Sequence, residues 1–451
     1  MKNHIYKWML VICAFAKAVT LPAQERPQET LSLEQAISLA LENNQSIQIE
    51  QKRVTIAEEQ VSIGNAGLLP TLNLIGEANY TNNETDLTIR TFQLPPNPAV
   101  VSFDESGVAS TTISGVVQAD YTVFSGFSGK YRYKLLKNQN NIAQYRQQAI
   151  INNTVLEVST LFLEIAKLQQ RQELLEKNIQ ITEDRKKRFV DKKQFGQATG
   201  LDVLNVESNV NRDKTQLDQV LLAKNNLKRN LNFLIGYEPE RRYWVTATYT
   251  IDELQSPESL KAEIIANNPN LLLVKEGINI AENEIGLSKS QNFPRLGVFA
   301  NYGYFNQEND VQQLAEITNL GYTVGGRITF NIFNGGQTKI AIKTARLNKE
   351  VNELQETQLA DRLITDAITE VNRIEILKSQ LLREKENLRT FQEAYERTEE
   401  RFRNGTVTNL DLRDAQTALL NAEIVIAELQ ADLMQSYITI DTLKGITKIN
   451  Q

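Results

Sequence analysis

The chain of 451 residues has one histidine and one cysteine, His4 and Cys13, and both lie near its start. Residues 1–23 carry lysines, then an apolar run, then small residues, which is typical of a secretory signal peptide. We expect cleavage near the end of this segment, and the isoleucine just before Cys13 disfavours lipid attachment there. The mature chain would then have no imidazole and no thiol. This excludes Ser-His-Asp and Cys-His sites, the usual zinc centres and disulfides. Carboxylate chemistry remains possible but no motif indicates it, so we predict no enzyme activity, no cofactor and no metal site.

The chain also lacks an excess of positive charge and, after its N-terminus, a long apolar run. Its formal net charge of −6 argues against a nucleic-acid partner, which needs a basic face. Without a run of about 18 apolar residues, no transmembrane helix is predicted. The hydrophobic content of 41% and charged content of 23% are those of a folded protein.

The sequence contains an internal duplication, in which one unit occurs twice. Two constant spacings pair its residues: 224 in the first part of each copy and 209 in the rest. The pairs at 224 are Asn43/Asn267, Pro70/Pro294 and Tyr80/Tyr304, and the pairs at 209 are Phe124/Phe333, Gly126/Gly335, Gly196/Gly405 and Gly236/Gly445. The spacing predicts a first repeat over 31–236, a linker over 237–258 and a second repeat over 259–445. A unit of this size is far longer than a solenoid repeat of about 20–50 residues.

Each copy contains a very long segment of helix-forming residues, 127–195 and 336–404, without proline and with glycine only at the ends. Ala367, Ile374 and Leu381 recur every seven residues, which predicts coiled-coil packing. At 1.5 Å per residue such a helix is about 100 Å long. Further helices are predicted at 201–235 and 409–443, returning antiparallel to the long ones, and at 46–67 and 270–291.

Each copy also contains two strands with strict alternation. They are predicted at 71–81, 113–124, 295–305 and 322–333, with loops at about 82–110 and 306–320. In the first strand Leu72, Leu74 and Tyr80 share one face, and polar residues take the other. This pattern fits a transmembrane β-barrel or a half-buried sheet of a soluble domain. The signal peptide and the long helices favour the barrel. Four strands cannot close a pore, so the chain must assemble, with eight strands in a dimer or twelve in a trimer.

These features together resemble the TolC family of outer membrane efflux proteins, from about Leu31 to Gly445. The features that carry the resemblance are the duplication, the strands that follow Pro70 and Pro294, the turns Phe124-Ser125-Gly126 and Phe333-Asn334-Gly335, and the segment 402–411. The resemblance implies an α+β membrane protein. Three copies would supply a twelve-stranded barrel in the outer membrane, contacting lipid, and a tunnel of coiled-coil helices in the periplasm.

The resemblance further implies partners and a passive mechanism. The homotrimer would dock to a periplasmic adaptor protein and an inner-membrane transporter, and would conduct substrates outward once its closed helical tip dilates. Efflux of small molecules is favoured. The alternatives are a type I protein secretion outlet and a non-conducting periplasmic coiled-coil scaffold.

Candidate functional residues follow from the resemblance only at the tip. The family narrows its tunnel with aspartate rings, which fall here on Asp411 and Asp414, with Asp202 as the first-copy counterpart of Asp411. A tip gate and adaptor-docking region is predicted at Gly196, Thr199, Phe402, Gly405 and Thr408. A second interpretation is open, because Thr199/Asp202 and Thr408/Asp411 have the spacing of helix capping boxes. Asp414 aligns with Asn205, so capping does not explain it.

The chain departs from the family at the lock of the closed state. In the family an Arg and a Tyr near the tip pair with an Asp of the first copy. The aligned positions here are Val407 and Phe402, while Asp202 matches the Asp. Any gate must therefore be held differently. Close substitutes for the missing Arg are Arg401, Arg403 and Arg413.

Overall fold

The computed structural model describes residues 29–90, 100–248, 255–310 and 315–445. The predicted signal peptide lies outside these residues. The chain divides into two compact units. The helical unit contains the residues up to Gln51, Arg146–Leu272 and those from Leu359 onward, and the sheet unit contains Lys52–Tyr145 and Leu273–Gln358.

The described elements follow one another in the order expected for a duplication. They are β1 (Thr30–Ser32), α1 (Leu33–Asn43), α2 (Gln45–Gln60), β2 (Thr71–Arg90), β3 (Val100–Ser125), α3 (Ser128–Gln194), α4 (Gly200–Ile235), β4 (Trp244–Thr246), α5 (Pro257–Asn267), α6 (Pro269–Ser290), β5 (Arg295–Asn309), β6 (Glu316–Thr329), α7 (Gln337–Arg403) and α8 (Asn409–Leu443). The two long helices and the two return helices are confirmed to within about two residues.

The sheet unit holds one antiparallel sheet with the strand order β2-β3-β5-β6. The register aligns the apolar positions of all four strands. Leu74 lies opposite Val117, which lies opposite Tyr302, which in turn lies opposite Tyr322. These four side chains are 79%, 41%, 57% and 80% exposed. One face of the sheet is therefore apolar and uncovered, as the alternation predicts.

The strands differ in length from the prediction. Strands β2 and β3 continue through most of 82–110, where a loop was expected, because their backbones stay paired as far as Arg90 opposite Val100. Strand β6 ends at Thr329, four residues before the predicted end at 333. The reason is that β5, its partner, begins at Arg295 opposite Thr329 and offers no further backbone to pair.

Five shorter elements were mispredicted or missed. Helix α2 ends at Gln60 instead of 67, because Gly64 and Gly67 follow and Gly67 has a left-handed φ of 73°. Helices α1 and α5 were not predicted. Strands β1 and β4 were also missed, since three residues each are too few to show alternation; they pair in parallel with each other.

The core of the helical unit repeats with the duplication. In the first copy Val158 and Phe162 of α3 pack with Ala36 of α1, and Tyr243 and Val245 complete the cluster. In the second copy Ala367, Ile374 and Leu381 of α7 pack with α5 and α8, which confirms the predicted heptad seam. A third cluster joins the copies, with Leu175 and Val220 from the first and Leu420 and Ile424 from the second.

Helix α3 is the one helix among the described residues with an apolar window long enough to cross a membrane. None was expected from the sequence. Val158, Phe162 and Ile165 of this helix are completely buried in the first-copy core. Packing within the helical unit therefore accounts for its hydrophobicity.

Candidate functional site

The two helical hairpins of the helical unit end in turns of the same geometry. Gly196 and Gly405 both have φ of 72°, a left-handed conformation that strains any residue with a Cβ. In each turn the residue after the glycine donates its backbone N–H back to the last helical turn. These bonds run from Gln197 to the Lys192 oxygen (2.8 Å) and from Thr406 to the Arg401 oxygen (2.9 Å). Glycine therefore ends both long helices in Schellman fashion.

Capping boxes begin both return helices. The carboxylate of Asp202 accepts hydrogen bonds from the backbone N–H (2.8 Å) and hydroxyl (2.7 Å) of Thr199. Asp411 accepts the same two bonds from Thr408 at 2.8 and 2.7 Å. These hydrogen bonds hold the pKa of both aspartates below the usual value. Capping is thus the role that the structure gives to Asp202 and Asp411, and a place in a pore constriction stays a prediction.

Asp414 lies one turn beyond Asp411 on α8 and is exposed. Within the described residues no hydrogen bond or ion pair reaches its carboxylate. Residues three apart share a helix face, so both aspartates lie on one side of α8. Asp414 differs from Asp411 in that its charge makes no structural contact with any residue that the structure describes.

Phe402 connects the two hairpins. Its half-buried ring lies 6.1 Å from the ring of Phe189 on α3, measured between centroids. The Lys192 ammonium lies 5.5 Å from the Phe402 centroid and 5.9 Å from that of Phe189. This arrangement is a cation–π contact shared by two rings. Phe402 therefore packs the end of α7 against the end of α3.

A buried ion pair, which the sequence reasoning did not find, also joins the hairpins. Asp213 of α4 has a side chain only 1% exposed. Arg413 of α8 holds it in a bidentate grip, with Nη2 at 2.6 Å from Oδ1 and Nη1 at 2.8 Å from Oδ2. Arg401 and Arg403 do not take this role. Arg403 pairs with Glu399 on its own helix, and the backbone oxygen of Arg401 accepts the hydrogen bond of the turn from Thr406. Of the three predicted substitutes, only Arg413 is in this pair.

Polar side chains of α3 and α8 complete the ion pair into a network. Asn178 donates to Asp213 Oδ2 at 2.9 Å, and Thr182 does so at 3.3 Å. Gln416 of α8 donates to Asn178 Oδ1 at 2.5 Å and accepts from the guanidinium of Arg185. Burial lowers the pKa of Arg185. We define the tip network as Asn178, Thr182, Arg185, Asp213, Arg413 and Gln416.

The duplication contains a signal for this network. At the spacing of 209, Asp213 aligns with Ala422 and Arg413 with Leu204. At each of these two positions one copy has a charged residue where the other has an apolar one. The two charges are of opposite sign, which indicates that they form an ion pair. Its partners lie 200 residues apart in the chain, which is why local patterns did not reveal it.

The helices also carry exposed apolar stripes. In the sheet unit Ile340, Leu347 and Leu354 lie seven residues apart on α7 and are exposed. In the helical unit Leu222 and Phe233 of α4 are exposed as well. A heptad stripe that no described part of the chain covers is typical of a coiled-coil contact with another copy.

Comparison with known proteins agrees with this architecture. The family model for outer membrane efflux proteins matches residues 36–237 and 260–445. The pyoverdine export outer membrane protein OpmQ of Pseudomonas aeruginosa is 25% identical over 420 residues, covering 90% of this chain and 83% of its own. The cation efflux system protein CusC of Escherichia coli K12 is 21% identical over 425 residues, covering 91% and 85%.

A solved structure gives the same fold. The Campylobacter jejuni CmeC outer membrane channel superposes with a TM-score of 0.74 at 16% identity, over 92% of this chain and 85% of that one. Two matched stretches of the family model, one per repeat, together cover most of the chain. The chain therefore belongs to the outer membrane efflux protein family.

Proposed function

We propose that three copies of the chain form the outer membrane outlet of a tripartite export system. The outlet conducts substrates passively across the periplasm and outer membrane once a periplasmic adaptor and an inner-membrane transporter engage it. The observation that carries this proposal is the four-stranded sheet of the sheet unit. Its apolar face is uncovered in every strand, and its two outer strands each pair on one side only.

Such a sheet is stable in lipid only when its edges are paired. Strands β2 and β6 are the two edges, and joining β6 of one copy to β2 of the next closes a ring. Three copies give twelve strands, which leave an open lumen, whereas the interior of eight strands fills with side chains. The row through Leu74, Val117, Tyr302 and Tyr322 then faces the hydrocarbon.

The tip network is the element that holds the outlet closed. Arg413 and Gln416 on α8 are tied to α3 and α4 of the first copy, so the second hairpin cannot swing away without breaking a buried ion pair. Loss of one member of such a pair costs about 3–5 kcal/mol, a barrier that binding of an adaptor can offset. This pair replaces the lock that Val407 and Phe402 cannot form.

The turns themselves form the surface for the adaptor. Gly196, Thr199, Gly405 and Thr408 lie at the ends of the two hairpins, exposed, with Phe402 just behind them. Threefold repetition brings Asp414, with Asp411 beside it, into an acidic ring that favours cations. The first-copy counterpart, Asp202, caps its helix and contributes to the same negative field.

The cargo is a class of small molecules or ions. Support comes from the relatives OpmQ and CusC, which are named for the export of pyoverdine and of cations. Another relative, of Pseudomonas putida, is named as an antibiotic efflux pump outer membrane protein. No described feature favours a polypeptide cargo.

Membrane fractionation and conductance measurements test the proposal. We expect the chain in the outer membrane fraction, migration of a trimer in mild detergent, and low basal conductance in planar bilayers. A soluble monomer would contradict the channel and support a periplasmic scaffold instead. Trimers that insert but never conduct, even with an adaptor present, would contradict the passive mechanism.

A further inference from the structure

We propose that the sheet-proximal ends of the two long helices bind the phosphate headgroups of anionic phospholipids. The binding surface is a duplicated basic face, defined by Lys130, Lys134 and Lys137 on α3 and Lys339, Lys343 and Arg346 on α7. The inference rests on the proposed function in one respect, because it takes the sheet to lie in the bilayer.

The basic face is the same in both copies. Lys130, Lys134 and Lys137 recur at the spacing of 209 as Lys339, Lys343 and Arg346. Positions i, i+4 and i+7 share one face of a helix. Each face lies in the first three turns after a strand-to-helix turn. Three cations at equivalent positions in two copies that otherwise differ at most sites indicate a function that both copies perform.

Helix stability does not explain these charges. The first turn of a helix carries a partial positive charge, so the cations there, Lys130 and Lys339, are unfavourable for the helix. Neither long helix has an acidic residue in its first turn. Residues 126–156 and 335–349 contain no Asp or Glu at all. Lys130 and Lys339 therefore oppose the helix dipole, and no carboxylate of the same helix segments neutralises the basic face.

Three residues of the basic face, Lys134, Lys137 and Arg346, line one groove of the sheet unit, with a volume of about 810 Å³. Lys134 and Lys137 line it from α3, Arg346 and Lys349 from α7, and Lys289 from α6 between them. Cations from both copies therefore lie around the same groove.

The groove has few negative charges. Glu282 is the one carboxylate among its lining residues and pairs with Lys349 at 3.6 Å. Within the described residues Lys134, Lys289 and Arg346 have no ion-pair partner. The side-chain amides at the groove are already engaged: Asn138 and Asn141 donate to the carboxylate of Glu276 at 2.7 and 3.3 Å, and Asn283 donates to Asn138 at 2.9 Å. The cations without an ion-pair partner are therefore the groups that match the phosphate oxygens of a lipid headgroup.

Aromatic rings at the same end of the helices identify the source of the phosphate. The ring of Phe127, 57% exposed, lies edge-on to Phe124 (centroids 5.3 Å apart) and to Phe293 (6.2 Å). Exposed aromatic residues at the ends of membrane strands lie at headgroup depth. Cations one to three turns beyond such rings reach the phosphate layer of the leaflet on the periplasmic side.

Native mass spectrometry of the detergent-solubilised protein, titrated with phosphatidylglycerol or phosphatidylcholine, tests the proposal. We expect phosphatidylglycerol to bind more tightly than phosphatidylcholine. A variant with all six cations of the basic face changed to Gln should bind phosphatidylglycerol at least about tenfold more weakly, since the attraction of each cation for the anionic lipid is lost.

Two matched variants guard against a loss of folding or a general charge effect. One exchanges the cations within the basic face, Lys→Arg at five positions and Arg346→Lys, and should retain the affinity for phosphatidylglycerol. The other removes six exposed cations elsewhere and should also retain it. Its substitutions are Lys177→Gln, Arg212→Gln, Arg242→Gln, Arg362→Gln, Arg383→Gln and Lys385→Gln.

Three outcomes would overturn the proposal. They are unchanged affinity in the Gln variant, equal loss in the control variant, or competition by soluble glycerol 3-phosphate as effective as that by the lipid. The last would assign the face to free anions. The mass of the complex in the same spectra reports assembly separately. A monomer that binds phosphatidylglycerol through the basic face would contradict the proposed trimer and leave the lipid site intact.

Discussion

At the scale of single residues, the tip network depends on one buried pair. Asp213 is almost fully buried, and Arg413 is its only cationic partner among the described residues. A buried carboxylate without a cation is far less stable than either the pair or two apolar side chains of similar size. The repeat itself supplies that apolar replacement, because the aligned residues are Leu204 and Ala422.

The first prediction uses this replacement. Arg413→Leu alone should raise basal conductance in planar bilayers, since it leaves Asp213 unpaired at a cost of about 3–5 kcal/mol. The double variant Arg413→Leu/Asp213→Ala should recover most of the closed state. If the single variant conducts like the wild type, the pair does not hold the tip. A double variant as leaky as the single would mean that an apolar contact at these two positions cannot substitute for the ion pair.

The second prediction concerns Asp414. Changing Asp414 to Ala should weaken the cation preference and the block by divalent ions, because three negative charges leave the proposed ring. Asn205→Ala, at the aligned position of the first copy, is the matched control and should leave selectivity unchanged. Single-channel reversal potentials under a salt gradient measure both. Unchanged selectivity in Asp414→Ala would refute the ring.

The third prediction is a pH dependence in the first-copy core. Lys228 donates to the backbone oxygen of Tyr243, and its ammonium lies 5.0 Å from the centroid of that ring. Burial, with the nearby charge of Lys224, lowers the pKa of Lys228 to about 8 from 10.5. Between these values the unfolded chain binds more protons at this site than the folded chain. The contribution of Lys228 to stability therefore rises with pH from about 8 to about 10.5.

Thermal unfolding of the wild type and of Lys228→Met checks the sign. Between about pH 7 and about pH 9.5 the unfolding temperature of the wild type should rise relative to that of the variant, because only the wild type has an ammonium group at this buried position to deprotonate. Comparing the two proteins at each pH removes the contribution of other titrating groups. An equal or opposite trend would mean that Lys228 stays charged in the folded protein.

At the scale of elements, the fourth prediction concerns the turn after α7. Gly405→Ala forces a side chain into the left-handed region and should destabilise the turn by about 1–2 kcal/mol. Gly200→Ala is the control, because Gly200 lies in the first turn of α4 outside the left-handed region, and a Cβ there would make only ordinary contact with the Lys193 side chain at 3.8 Å. Limited proteolysis at the tip should accelerate for the first variant only. Equal cleavage of the two variants would show that the left-handed conformation of Gly405 is not needed to stabilise the turn.

Elements with a long repeated pattern were predictable from the sequence, and those that depend on a distant partner were not. The seam of α7 through Ile374 and Leu381 is visible as a heptad, and both residues are buried. Strand β4 is not visible in this way, since it forms only because β1 lies beside it and Tyr243 enters the core formed by α1 and α3. The lengths of β2 and β3 likewise follow from their mutual pairing.

In the candidate site, too, local contacts were predictable from the sequence and contacts between distant residues were not. The capping pairs Thr199/Asp202 and Thr408/Asp411 are local, three residues apart, and their spacing predicts them. The pair of Asp213 with Arg413 spans 200 residues and requires two hairpins to lie side by side. Only a comparison of the two copies, residue by residue, contains a trace of it.

At the scale of the whole molecule, the exposed stripe on α7 gives the fifth prediction. Leu354→Glu should shift the protein from trimer to monomer in mild detergent, because it places a charge in a proposed coiled-coil contact. Gln355→Glu, the neighbouring exposed position, introduces the same charge outside the stripe and should leave the trimer intact. Native gel migration distinguishes the two. Intact trimers in both variants would remove the stripe from the interface.

The unpaired edges of β2 and β6 have a genetic consequence. In the proposed trimer a copy with a defective tip but intact edges still enters the ring. With equal expression of both alleles, only about one ring in eight contains three intact copies. Tip alleles should therefore be dominant over the wild type. Mutations that prevent β2 or β6 from pairing with a neighbouring copy should be recessive, because the mutant chains are excluded from the trimers that normal chains form.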